Sequence, residues 1–302
     1  MKTLRPMQLA AALLAVGGAA QAQLASSGPL NQFGYPESYT DSNGLTLVQG
    51  IDPNDPNVLL DPLPNPNQNP NVNNGNFWGE QFYWLCNADM ETSGGSALLV
   101  LAIEGAWLNE EVIPGDQIVF SRIRIRVDVA NTPASAGTYR VTHPFGEEVF
   151  QITAADIAAT GGIRVINFTE DSLDFDPSQF GGPLNPASRV GPFLTWDGSL
   201  PAPPAGHIGN PNVLHAITGS PTGDNLFRVR GPGINPNGNN SLSTDLFSVQ
   251  GVIGEPPAPP PGDFVIVCEG SSGCPCGRLY RTPVLSPVSW STRWSGPNWL
   301  SL

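Results

Sequence analysis

The sequence predicts an all-β protein: an antiparallel β-sandwich, immunoglobulin-like or jelly-roll-like, with long Pro/Asn-rich loops and little helix. Three observations predict it. From Ser121 to Val129 the chain reads Ser-Arg-Ile-Arg-Ile-Arg-Val-Asp-Val. A period of two puts Ile123, Ile125, Val127 and Val129 on one face and Arg122, Arg124, Arg126 and Asp128 on the other, as in a strand with one dry side. Similar apolar runs recur between turn residues, so the 34 glycines and 32 prolines punctuate strands instead of replacing them. Helical spacing of apolar residues is nearly absent, and many short strands at close intervals predict a sandwich.

Taken in order, residues 1–22 read as a secretory signal peptide. Lys2 and Arg5 precede an apolar run, Leu9 to Val16, and the small-x-small site Ala20-Gln21-Ala22. That run is shorter than the ~20 apolar residues of a membrane span, and no later stretch reaches that length. The expected location is therefore secreted or periplasmic. Residues 23–76 read as an irregular amino-terminal approach packing on the sandwich. Asp41-Ser42-Asn43-Gly44 marks a turn before a short strand, Leu45 to Val48. The Asn/Pro run from Leu63 to Asn74 is a loop, because its prolines lack the N–H that a helix or central strand needs.

The sandwich is expected over residues 77–253. Ser96 to Trp107 is continuously apolar, a strand buried on both faces or a helix, and Gly94-Gly95 and Gly105 favour the strand. The alternating segment around Ser121 to Val129, then Thr138 to His143 and Glu147 to Ile152, form a meander. Ala154 to Thr160 is a turn or two of helix ended by Gly161-Gly162, and Ile163 to Phe168 alternates again. Later strands are expected at Gly191 to Trp196, Asn225 to Arg230 and Asp245 to Ile253. Residues 254–302 combine a stiff proline-rich linker with a Cys- and Trp-containing tail, expected to be poorly ordered.

Lys and Arg number 13 against 26 Asp and Glu, and without Lys2 and Arg5 the balance is 11 against 26. Such a surface repels a polyanion, and no basic cluster with interleaved aromatics offsets it, so nucleic acid is excluded as an expected partner. The basic row Arg122, Arg124 and Arg126 is expected to face acids on adjacent strands, such as Glu147 or Glu148, in exposed pairs worth at most about 1 kcal/mol each.

No nucleophile elbow, phosphate loop, dinucleotide fingerprint or metalloprotease helix is present. Two groups of residues carry candidate chemistry. Trp78, Tyr83, Trp84 and Trp196 could stack on sugar faces as a ligand platform, or they could be core. Asp41, Asp52 and Asp55, and Asp171, Asp174 and Asp176, supply hard oxygen ligands of the kind calcium takes, although Asp is also a good turn former. Of the four cysteines, Cys274 and Cys276 flank Pro275 too closely to bond each other, which favours a disulfide from Cys268 to Cys274 or Cys276. His143, His207 and His215 are the only histidines.

Gly34 to Leu47, Phe82-Tyr83-Trp84, Gly115 to Val129, Gly137 to Phe150, Ile166 to Asp171 and Gly191 to Asp197 together resemble the amino-terminal module of large, uncharacterised exported proteobacterial proteins that continue into immunoglobulin-like repeats. The resemblance spans about Gly34 to Ile253 and implies an exported setting and a module boundary, without a catalytic residue. The functional expectation is an exported, non-enzymatic β-sandwich module with a structural, display or binding role, its partner a glycan or cell-surface component. The alternative is a calcium-assisted carbohydrate-binding or carbohydrate-active module.

Overall fold

The computed structural model describes residues 24–174 and 180–255, and the backbone alone of 264–268, 277–281 and 287–288. The chain divides into two compact units, Met1–Pro256 and Pro257–Leu302. In the first unit the strands are β1 (Leu24–Ser27), β2 (Ser38–Asp41), β3 (Thr46–Val48), β4 (Gln81–Thr92), β5 (Gly95–Trp107), β6 (Gln117–Val127), β7 (Gly137–His143) and β8 (Gly146–Ile152). After the helix α1 (Ala154–Thr160) come β9 (Ile166–Leu173), β10 (Thr195–Trp196), β11 (His215–Thr218), β12 (Phe227–Arg230), β13 (Ser241–Thr244), β14 (Leu246–Gln250) and β15 (Val252–Ile253).

These strands build an all-β, antiparallel sandwich. The large sheet has the order β10-β11-β14-β4-β5-β6-β9, a second sheet runs β13-β12-β7-β8, and a third runs β1-β2-β3-β15. The large sheet grows from the long β4-β5-β6 meander, where apolar residues on the inward face support strands of 11 to 13 residues. Along β6 the burial alternates as the sequence predicts: Ile123, Ile125 and Val127 are at most 1% exposed, while the arginines between them are half-exposed. The inward side chains of β6 meet those of the second sheet, Tyr139 and Val141 of β7 and Phe227 and Val229 of β12, in one continuous core.

The ambiguous run Ser96 to Trp107 is strand β5, held on both sides by β4 and β6. A bulge in β4 between Phe82 and Trp84 breaks the alternation. Tyr83 and Trp84, which strict alternation would send to opposite faces, are both fully buried there. Helix α1 starts at a capping box, with Thr153 and Asp156 each satisfying the other's backbone, and ends on Gly161 at φ 66°.

Residues 23–76, expected to hold one strand, hold three, which pair through β3 with β15. The long loop after β3 is folded by its own amides. Asn76, 3% exposed, accepts from Asn65 N and donates to the Gln68 and Asn69 carbonyls, while Asn71 and Asn74 close Asx turns. The strand expected at Gly191 to Trp196 shrinks to two residues. The one expected at Asp245 to Ile253 breaks at Gly251, where an added Cβ would meet Ile208 Cδ1 at 2.7 Å.

In the second unit, β16 (Phe264–Cys268), β17 (Gly277–Arg281) and β18 (Pro287–Val288) form a three-stranded antiparallel sheet. The β-branched run Val265-Ile266-Val267 is the local signal for it.

Candidate functional site

Outward-facing side chains of the large sheet fall into rows, because the register runs unbroken across β14, β4, β5, β6 and β9. One row reads Gln250, Leu85, Ala102, Arg122 and Asp171. The next reads Ser248, Asn87, Val100, Arg124 and Thr169, and beyond it come Asp89, Leu98, Arg126 and Asn167. Each full row crosses five strands, about 19 Å at ordinary strand spacing.

The first row is closed. Gln250 and Leu85 are 1% and 4% exposed, and the Gln250 side-chain oxygen accepts from the Leu59 amide, so the amino-terminal loop lies against that end of the sheet. In the other two rows every residue is half-exposed or exposed. The large sheet thus has one face packed in the sandwich and part of the other open.

At the closed end Arg122 is fully neutralised. Its Nε and Nη2 donate to the two Asp171 oxygens at 2.8 and 2.9 Å, and Nη1 lies 3.0 Å from Glu104 Oε2. The guanidinium also sits 4.7 Å over the Phe120 ring. Glu104 is 2% exposed. Burial pushes its pKa up to about 8, with Arg122 opposing and the nearby Glu80 adding to the rise.

Arg124 and Arg126 are placed differently. Arg124 reaches only Thr169 Oγ1, at 3.4 Å, and the Nε of Arg126 has no hydrogen-bond partner. Burial and the two flanking arginines lower the Arg124 pKa. Across β5 these two residues face Val100 and Leu98, and across β9 they face Thr169 and Asn167, so neither has a carboxylate directly opposite. The expected partners are engaged elsewhere: Glu147 pairs with Arg140 at 2.7 Å, and Glu148 with Arg189.

The four aromatics of the expected platform are core. Trp78, Tyr83, Trp84 and Trp196 are 2%, 0%, 0% and 6% exposed, so none offers a free face to a sugar. Trp84 Nε1 donates to the Leu194 carbonyl, Tyr83 OH donates to the Pro36 carbonyl, and Trp196 stacks on the His215 ring at 4.2 Å. Aromatic clustering in a strand signals burial as readily as display.

The aspartates do not converge either. Asp41 is buried and accepts from the Asn43, Leu45 and Phe193 amides. Asp52 closes an Asx turn on Asn54. Asp55 does so on Asn57 and meets His207 Nε2 at 2.8 Å. Burial would raise the Asp55 carboxyl, but Asn57 and His207 hold it below its usual value. Asp171 is spent on Arg122, Asp174 follows β9, and Asp176 lies outside the described residues. Among the described residues no three His, Cys, Asp or Glu side chains gather to hold a metal ion. Cys86 is free and buried. The disulfide expected among Cys268, Cys274 and Cys276 falls outside the described side chains.

Two further clusters are local structure. Ser199 Oγ lies 3.3 Å from His215 Nε2, and Asp197 Oδ1 lies 3.6 Å from Nδ1. The serine, however, gives its proton to Asp197 at 2.7 Å, and His215 Nδ1 lies 2.8 Å from the Ala216 carbonyl. The hydroxyl proton is directed at the carboxylate, and Nδ1 faces a backbone carbonyl at closer range than the carboxylate, which is not the serine-to-imidazole-to-carboxylate order of a nucleophilic triad. His143 is fully buried with its Nε2 3.8 Å from Glu148, and Arg189 ties Glu148 of β8 to Glu170 of β9.

Glu80 and Glu104 are the residues that sequence reasoning missed. Glu104 is the only ionisable residue in β5, and a single charge inside an apolar strand is the signal that marks it. No helix among the described residues is long and apolar enough to cross a membrane. Compared with protein-family models, curated proteins and solved structures, the chain matches none of them.

Proposed function

We propose that this protein is an exported, non-enzymatic β-sandwich module that binds its partner across the open rows of the large sheet. The observation that carries the reading is the division of that face. One end is sealed by the amino-terminal loop and by the Arg122 ion pairs, and the other presents Val100, Arg124, Arg126, Asn87 and Thr169. A sheet that buries one face and leaves a mixed polar and aliphatic surface on the other provides a broad, shallow contact area. The signal-like residues 1–22 and the resemblance to exported modules support the setting. The packed aromatics and the engaged aspartates weigh against the calcium-assisted carbohydrate-active alternative.

The test is a polysaccharide and cell-surface polymer array probed with the mature protein, with and without EDTA, alongside a hydrolysis assay on every polymer that binds. Binding without product and without EDTA sensitivity is the expected result. EDTA-sensitive binding would return the site to the aspartate loops. Turnover abolished by Glu104→Gln would make the protein an enzyme, and an array without any binder would remove the binding role.

A further inference from the structure

We infer that the open rows form a site for a carboxylate-bearing glycan, a uronate oligosaccharide, with Arg124 and Arg126 receiving its carboxylates; this rests on the reading of the open face as the binding surface. The argument begins with charge. The chain carries twice as many acids as bases, yet it places no carboxylate opposite these two arginines. Along β9 the residues facing Arg126, Arg124 and Arg122 are Asn167, Thr169 and Asp171; Asp89 stands two strands away in the Arg126 row, and Asp128, two residues on from Arg126, accepts from the Ser96 and Arg164 amides. Two guanidinium groups two residues apart on one strand face lie about 7 Å from each other. Their mutual repulsion, and their setting between aliphatic and neutral polar side chains, is relieved by an external anion.

The molecule shows what kind of anion suits the geometry. One row away, Arg122 holds the Asp171 carboxylate side-on through Nε and Nη2, and Arg189 holds Glu170 in the same way at 2.9 and 2.8 Å. A bidentate fork of this kind matches a planar carboxylate. At Arg126 the corresponding Nε is buried without a hydrogen-bond partner, so the side-on fork is closed there and a ligand carboxylate meets the Nη end of the guanidinium. A ligand carboxylate on Arg124 or Arg126 continues the column that Asp171 begins.

The flanking groups select a sugar over an acidic peptide. Ser248, Asn87, Thr169 and Asn167 line the same rows and offer hydroxyl and amide partners for sugar hydroxyls. The floor between them is flat sheet carrying Val100 and Leu98, without a pocket-forming aromatic for a peptide side chain. Net charge repels a long polyanion at distance, but screening confines that repulsion to roughly 8 Å at physiological ionic strength, so a short uronate oligomer is the matching ligand.

The experiment is calorimetric titration of the mature full-length protein with tetragalacturonate, with its methyl ester, and with a tetraglutamate peptide. Arg124→Ala, Arg126→Ala and the control Arg140→Ala are compared with the parent, each variant checked by its melting curve. The uronate is expected to bind, the methyl ester to lose that binding, and each of the first two substitutions to weaken it about tenfold. Arg140→Ala, in an exposed pair with Glu147, is expected to bind as the parent does. Equal binding of the methyl ester, or undiminished binding by both variants, overturns the carboxylate site. Equal or tighter binding of the peptide overturns the glycan assignment. A neutral glycan that competes at this face while the uronate fails would sink this inference and leave the binding-face reading standing; no binder at all sinks both.

Discussion

The Glu104 carboxylate, 2% exposed, meets the Arg122 guanidinium at 3.0 Å, yet the ion pair does not keep the acid ionised, because burial outweighs it. A carboxyl whose folded-state pKa is raised from 4.5 to about 8 binds its proton more tightly in the native state than in the unfolded chain. Its contribution to stability is complete below the unfolded value and is lost as pH rises to about 8. Melting temperature should therefore fall between about pH 5 and pH 8, by the equivalent of a few kcal/mol at most. Glu104→Gln should flatten that slope while Asp171 keeps Arg122 paired, and melting curves across this range compare the two proteins directly. An unchanged slope in the variant would show that Glu104 is not the titrating group.

His143 works in the opposite sense. Burial lowers its pKa, although Glu148 opposes the shift; Arg189 and Glu170 are the other charges facing it. A histidine held neutral in the fold stabilises the protein above its unfolded value of about 6.5, and that stability is lost as pH falls toward the native value. Glu148, kept below its usual range by His143 and Arg189 despite burial, adds a second loss further into acid. His143→Asn should weaken the acid dependence and leave the alkaline limb set by Glu104 in place. Denaturant midpoints at about pH 5 and pH 7 measure the effect.

Trp84 separates a platform from a core. With its indole fully buried against Phe145 and Phe193 and its Nε1 on the Leu194 carbonyl, Trp84→Ala should cost about 3–5 kcal/mol. A surface platform would lose ligand binding instead and keep its stability. Chemical denaturation of the variant decides the matter, since a loss under about 1 kcal/mol would return Trp84 to the surface.

Asn76 is the organising residue of the loop after β3. Replacing it with Ala leaves the Asn65 amide and the Gln68 and Asn69 carbonyls without their side-chain partner. The expected cost is about 1–3 kcal/mol. The site of the loss is the more informative readout: limited proteolysis should open residues 63–76 first, with the β4-β5-β6 meander intact. Uniform cleavage throughout the chain would mean that the loop is not an independent unit.

Much of the architecture was legible in the residues themselves. The period of two through β6, the glycines bounding β5 and the Gly161 stop of α1 are local, because backbone sterics and neighbouring side chains settle them without help from distant chain. The bulge at Tyr83 is different. Nothing within β4 announces it, and it exists because Tyr83 and Trp84 both find partners from elsewhere, Tyr39 for one and Phe145 and Phe193 for the other. The short strands β11 and β13 carry no local signal for the same reason: with four residues each, they owe their form to the strands they pair with.

The candidate site divides along the same line. The sequence by itself determined that Arg122, Arg124 and Arg126 share one side of a strand. Only the tertiary structure decided that Asp171 pairs with the first, with Glu104 at 3.0 Å beside it, while Thr169 and Asn167 stand beside the other two. The physical reason is that alternation depends on neighbours two residues apart, whereas pairing across a sheet depends on register between strands far apart in sequence, here β6 and β9 with β7, β8 and α1 between them. That register, which follows from burial of the inward face, selects the outward contacts of the arginines.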